Sequence, residues 1–278
     1  MGAIEMGNQG QADSERVLPP GWELDRLRHL GRGVLLGLAA GLTTGILVGG
    51  FGSRIAMRIS AVLGGEEIAG LITENGNVVG DITVDGTVGL LIFAGLPFGI
   101  AGGWLYVLIR RWLPGPRWWH GLLFGTLLLM TLGALVINND NPDFTQLGHT
   151  AVNVTMFAML FVLFGLLVAP ITGALDRRLP PVGPGMSLWF SRGYLVVVAL
   201  LLALTVPLFF GGGVGVPLVP LPPLVIAAYV WWPALRIRVG FLRWDWTVGV
   251  QRIAPYAAIS VAAIVGAVFL ALNVVKMV

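Results

Sequence analysis

Residues 33–51 read GVLLGLAAGLTTGILVGGF. The stretch carries no charge, and a helix needs roughly 20 apolar residues to cross about 30 Å of hydrocarbon. Glycine returns at every fourth position, at Gly33, Gly37, Gly41, Gly45 and Gly49, and Ser53 continues the row. Small residues at this spacing let helix backbones approach closely in lipid, where packing takes over from the hydrophobic drive. Such a row turns by about 40° per step, so it winds around the helix and can serve more than one neighbour. The stretch therefore predicts a membrane helix packed through its glycines. A second apolar run repeats the device with Gly95, Gly99 and Gly103, and a later one with Gly165, Ala169 and Gly173. Packing within the chain is the plainer reading of these rows; a homodimer face is the other.

The composition agrees with lipid as the solvent. Of 278 residues, 56% are hydrophobic and only 11% charged, against about 25% charged in a soluble domain. Glycine (40) and proline (17) are both plentiful, as transmembrane helices tolerate. The absence of cysteine excludes disulfides, thiolate catalysis and zinc–thiolate sites. The calculated pI of 9.8 is a matter of topology rather than nucleic-acid binding, because the arginines are scattered through the loops between apolar runs.

Seven runs are long enough to span: 33–51, 88–109, 121–137, 151–175, 188–210, 217–235 and 253–275. The sixth is crowded by Pro217, Pro220, Pro222, Pro223 and Pro233, so a short, tilted or partly unwound span is expected there. Residues 1–30 are polar, with no apolar segment of the kind a signal peptide has. They read as a cytoplasmic tail ahead of a single helical membrane domain over 31–278. Placing the N-terminus inside puts 14 of the 17 basic residues in cytoplasmic segments and leaves only Arg54, Arg58 and Lys276 outside. That asymmetry predicts N-in, C-out. Most tryptophans then fall near the cytoplasmic interface, where indoles settle.

Two outer loops carry the polar chemistry. Residues 64–87, GGEEIAGLITENGNVVGDITVDGT, place Asn75-Gly76 between apolar pairs, a hairpin signal, and an alternating run over 81–85 follows. A small β-hairpin or lid is expected. Residues 137–153, INNDNPDFTQLGHTAVN, bring Asn138, Asn139, Asp140, Asn141 and Asp143 together, short oxygen-bearing side chains that favour turns. His149 and Asn153 lie one turn apart where the next span begins. Arg54 and Arg58 end the first span on this acidic side, one helical turn apart. They have two readings: snorkelling or structural pairing, with Asp140 or Asp143 as natural partners for an arginine fork, or a ligand site. The candidate ligand set is Arg54, Arg58, Asn139, Asp140, Asp143, His149 and Asn153. The candidate helix-packing set is Gly37, Gly41, Gly45, Gly49, Gly95, Gly99 and Gly103.

No HExxH, GxSxG, Walker or dinucleotide motif occurs. No charge sits in the middle of any span, which argues against a proton relay. No catalytic residue, metal site or cofactor is assigned. The pattern TENGNVVGDIT at 73–83 followed by NNDNPDF at 138–144 resembles an uncharacterised bacterial family of polytopic membrane proteins, over roughly the first four spans. The resemblance implies a polytopic membrane protein and adds no activity and no site residues. The chain is thus expected to be an all-α integral membrane protein of the bacterial inner membrane with about seven helices. Its expected role is non-enzymatic: a transporter-like or small-ligand-binding protein with an outward polar cap. The alternative is a partner or assembly subunit, with a membrane-embedded enzyme third. Its surroundings are the bilayer and either a membrane-protein partner or a second copy; nucleic acid is excluded.

Overall fold

The computed structural model describes residues 21–64, 83–141, 144, 149–210 and 246–277. All regular structure among them is helical. The first helical run is unbroken: α1 (Trp22–Thr44), a π-helical segment (Gly45–Gly52) and α2 (Ser53–Gly64). The second run has the same construction: α3 (Val84–Leu90), a π segment (Leu91–Gly95) and α4 (Leu96–Ile109). Then come α5 (His120–Val136), α6 (Thr150–Arg178), α7 (Leu188–Phe210) and α8 (Trp246–Met277). Among the described residues, three helices are long and apolar enough to cross a membrane by length and composition: Trp22–Leu63, Thr150–Arg178 and Ile253–Met277. Shorter apolar helices are Leu96–Ile109, His120–Val136 and Leu188–Leu200. The expected span over 217–235 and the Asn75-Gly76 turn lie outside the described residues.

One expectation needs correcting. The hairpin or lid expected over 64–87 lies mostly outside the described residues, but at its end, within the alternating run over 81–85, Val84 already opens α3. Thr83 is the N-cap: its backbone is extended and its hydroxyl accepts the Gly86 N–H at 3.2 Å. A capped first turn satisfies backbone donors that an isolated strand edge would leave open, so the second helical run starts four residues before the expected Val88. Its π segment has a local cause. Pro97 sits in the first turn of α4, and a proline ring collides with the carbonyl four residues before it. Widening the helix over Leu91–Gly95 relieves that collision.

The chain forms two compact units, Gly33–Pro180 with Val250–Val278 and Met1–Arg32 with Pro181–Gly249. In the first, α1 and its π segment run antiparallel to α4 and its own. A Cβ on Gly41 would run into the Gly99 carbonyl oxygen, and one on Gly103 would lie 2.6 Å from the Gly41 Cα. Gly45 and Gly99 stand in the same relation, a Cβ on either meeting the other's Cα at 2.7 Å. These glycines are backbone contacts within the chain. Gly37 makes a different kind of room: a Cβ there would strike the Trp104 ring at 2.5 Å, and the Trp104 indole donates to the Val34 carbonyl at 3.0 Å. Gly33 meets only Val107, at 3.9 Å, and the Gly49 carbonyl accepts the Ser53 hydroxyl at 2.6 Å.

α5 and α6 cross on Gly121, Gly125 and Gly165, where a Cβ on Gly165 would lie 2.5 Å from the Gly125 Cα. Gly173, the last of its row, faces open space apart from Arg177 of its own helix at 3.8 Å. Tyr106, Phe124, Leu128, Phe164 and Val168 form the core between α4, α5 and α6, with Tyr106 edge-on to Phe124 at 5.1 Å. α8 joins through Gly266, whose Cβ would meet the Met130 carbonyl. Asn273 completes this contact, donating to the Ala134 and Ile137 carbonyls at 3.3 Å each. These are carbonyls that the end of α5 cannot satisfy by itself.

The second unit holds the start of α1 and the described part of α7. Gly31 lies against the Tyr194 carbonyl, and Ser191, Tyr194 and Val198 form the buried face of α7. Asp25 and Arg28 pair at 2.7 Å one turn apart.

Candidate functional site: a buried arginine beside the start of α6

Helix sense fixes which polar groups share an end of the first unit. Gly102 packs under Phe164 and Arg110 reaches Asp176, so α4 runs parallel to α6. α1 is antiparallel to α4, as Gly37 by Gly103 and Gly45 by Gly95 require. α2 therefore finishes where α5 ends and α6 begins. Gly52 beside Leu160 (3.1 Å for an added Cβ) ties the two helices just below that end, and α2 packs on α6 beyond it.

The faces of α2 are sharply divided. Leu47, Phe51, Ile55, Ile59 and Leu63, spaced by four, are exposed; this is the stripe lipid would cover. Ser53, Arg54 and Ala56 are buried, with Arg54 only 9% exposed. A snorkelling arginine keeps its head in water or among lipid headgroups; most of Arg54 is instead covered by protein. Its Nε and Nη2 are both buried and make no hydrogen bond. Asp140 does not serve it: Asp140 is exposed, and its backbone N–H is held at 3.0 Å by the Asn138 side chain in a local turn. Asp143, the other partner expected from sequence, lies outside the described residues.

On α6, Asn153 is 2% exposed, one turn in from the start of the helix. The candidate set therefore divides. Arg54 and Asn153 are enclosed, on two helices that pack together. Arg58, Asn139, Asp140 and His149 belong to the same end and are exposed. The approach to α6 is held by Phe144, fully buried and edge-on to Phe157 at 4.9 Å, with Ile137 also fully buried. Sequence reading passed over this anchor because an aromatic inside NPDF looks like part of a polar turn.

The opposite end has different chemistry. Arg110 donates to Asp176 at 3.0 Å, both about one-third exposed, fastening the end of α4 to the end of α6. Arg111 lies over the Trp112 ring at 4.0 Å. Asp176 had no assigned role in the sequence, though it is the one acid among the basic residues at that end of α6. Among the described residues, no three histidine, aspartate or glutamate side chains are grouped as a metal site would need.

No family model matches the chain, and no curated protein and no solved structure is similar to it. Any functional reading rests on the residues themselves.

Proposed function

We propose that this protein is a non-enzymatic, transporter-like membrane protein that binds a small solute at the Arg54 end. In this reading the chain is a bacterial inner-membrane protein of about seven spans with its N-terminus in the cytoplasm, and the Arg54 end faces outward. The observation that carries the reading is Arg54 itself: an arginine nine-tenths buried in an apolar helix, without a hydrogen bond at Nε or Nη2. An ionised group removed from water costs several kcal/mol unless something compensates it. Within membrane segments such groups mark ligand paths or partners far more than structure. Asn153 adds an amide with both donor and acceptor atoms on the helix that packs against α2, suited to orienting a polar solute.

The orientation is tested by cysteine labelling in cells. A cysteine at Asn139 is expected to react with an impermeant reagent from outside and one at Arg117 only after lysis. The binding reading is tested by thermal unfolding in maltoside micelles against a panel of neutral, cationic and anionic solutes. At least one class is expected to raise the midpoint in the parent and fail to do so in Arg54→Met and Asn153→Ala. No response to any solute would count against binding. An assembly role is the second reading. What favours it is α8, whose residues Ile253, Ile264, Val268, Leu272 and Val275 all stand exposed.

A further inference from the structure

The two unsatisfied atoms of Arg54 are not an arbitrary pair. In a guanidinium Nη1 lies cis to Cδ, so Nε–H and one N–H of Nη2 point the same way, side by side on one edge. That edge is a rigid two-pronged fork whose complement is a group offering two oxygens of one planar or tetrahedral anion. A single water cannot accept both protons in line. A neutral carbonyl accepts with one atom and leaves the charge uncompensated. It is this edge, Nε with Nη2, that is buried and without a hydrogen bond. From this geometry we infer that Arg54 is the receptor for a phosphate-type oxyanion, bound side-on by Nε and Nη2. The inference rests on the ligand-binding reading above and gives the site its chemical class.

Three further features agree with an anion at this position. The fork stands in the Ser53–Arg54–Ala56 face of α2, opposite the lipid-facing stripe of Leu47, Phe51, Ile55 and Ile59, so the anion would be enclosed by protein rather than by acyl chains. Ser53 donates its hydroxyl to the Gly49 carbonyl at 2.6 Å and does not accept from Nε or Nη2 of Arg54. Asp140, in the turn before α6, is exposed and makes no hydrogen bond to the fork. Phosphate is the shared chemistry of two sources, a free phosphate or phosphate ester in solution and the headgroup of a phospholipid at the membrane interface.

The test uses the full chain in maltoside micelles free of phosphate and phospholipid. One arm titrates inorganic phosphate against chloride at matched ionic strength. The other adds phosphatidylglycerol against a phosphate-free glycolipid. Binding is read by calorimetry and by the unfolding midpoint. The parent is expected to respond in one arm, and that arm names the source. Arg54→Lys, which keeps the charge but lacks the fork, is expected to bind about tenfold or more weakly, as for the loss of one charge-assisted hydrogen bond. Arg54→Met is expected not to respond, and Arg110→Met to respond like the parent. Equal responses from the parent and Arg54→Lys would overturn the bidentate assignment. A panel response without a response in either phosphate arm would overturn the phosphate assignment and leave the binding reading standing. Silence in both arms and across the panel would overturn both.

Discussion

Arg110 and Arg54 stand at opposite ends of the same unit and meet opposite fates. Arg110 has Asp176 at 3.0 Å, and both side chains keep about a third of their surface in contact with solvent. Arg54 is more deeply enclosed, and two of its nitrogens have nothing to donate to. A partly exposed ion pair is cheap to form and worth little, ~0–1 kcal/mol. A buried charge without a partner is expensive, and a fold does not keep one without a return elsewhere. The first arginine fastens two helix ends; the second is left without a partner at Nε and Nη2, and on the reading proposed above a bound oxyanion supplies it.

The comparison assumes that the helices between the two ends stay fixed, and the largest expected effect tests that assumption. Gly41→Leu is expected to lower the unfolding free energy in mixed micelles by about 3 kcal/mol or more, since even its Cβ collides with the Gly99 backbone. Gly173→Ala, in open space, is expected to leave it unchanged or raise it by roughly 0.5 kcal/mol through helix propensity. Equal losses from both would show that glycine contact is not what holds α1 to α4. Next in size is Arg54→Met. In phosphate-free micelles it is expected to stabilise the protein by roughly 2 kcal/mol, because an uncompensated buried charge is replaced by an apolar side chain of similar reach. Destabilisation would mean that Arg54 has a partner in the chain.

Asn273→Ala is expected to cost about 1 kcal/mol, as two carbonyls at the end of α5 lose their donor. A neutral result would place water there instead. The smallest effect is the coupling of Arg110 with Asp176, about 0.5 kcal/mol in a double-mutant cycle and weaker at high salt. A coupling of several kcal/mol would erase the contrast between the two ends.

Much of this was legible in the sequence, for identifiable reasons. Long apolar helices follow from the low charge content, and three are found among the described residues. The four-residue glycine spacing marks surfaces where backbones can meet, but not which neighbour fills them. Gly37 accepts a tryptophan ring, Gly41 and Gly45 accept backbone, and Gly173 accepts nothing. Gly50 against Leu91 and Gly102 under Phe164 stand off the rows and carry no periodic signal. The start of α3 was hidden because Thr83-Val84-Asp85 alternates like a strand while also reading as a cap with an acidic first turn. For the site, the anomaly of two arginines on an acidic side was visible. Their difference was not: whether Arg54 faces protein depends on the lateral packing of α2 against α6, and a 40° rotation separates it from the exposed Arg58.

The account depends most on what lies against one edge of one side chain. The direct measurement is an experimental density map of the full chain extracted with its native lipids and solutes, read at Nε and Nη2 of Arg54. The account predicts density for a non-protein oxyanion within about 2.7–2.9 Å of both nitrogens, with no carboxylate of the chain beside it. A glutamate or aspartate of this chain bridging the same two nitrogens would contradict it and make Arg54 a structural fastening like Arg110.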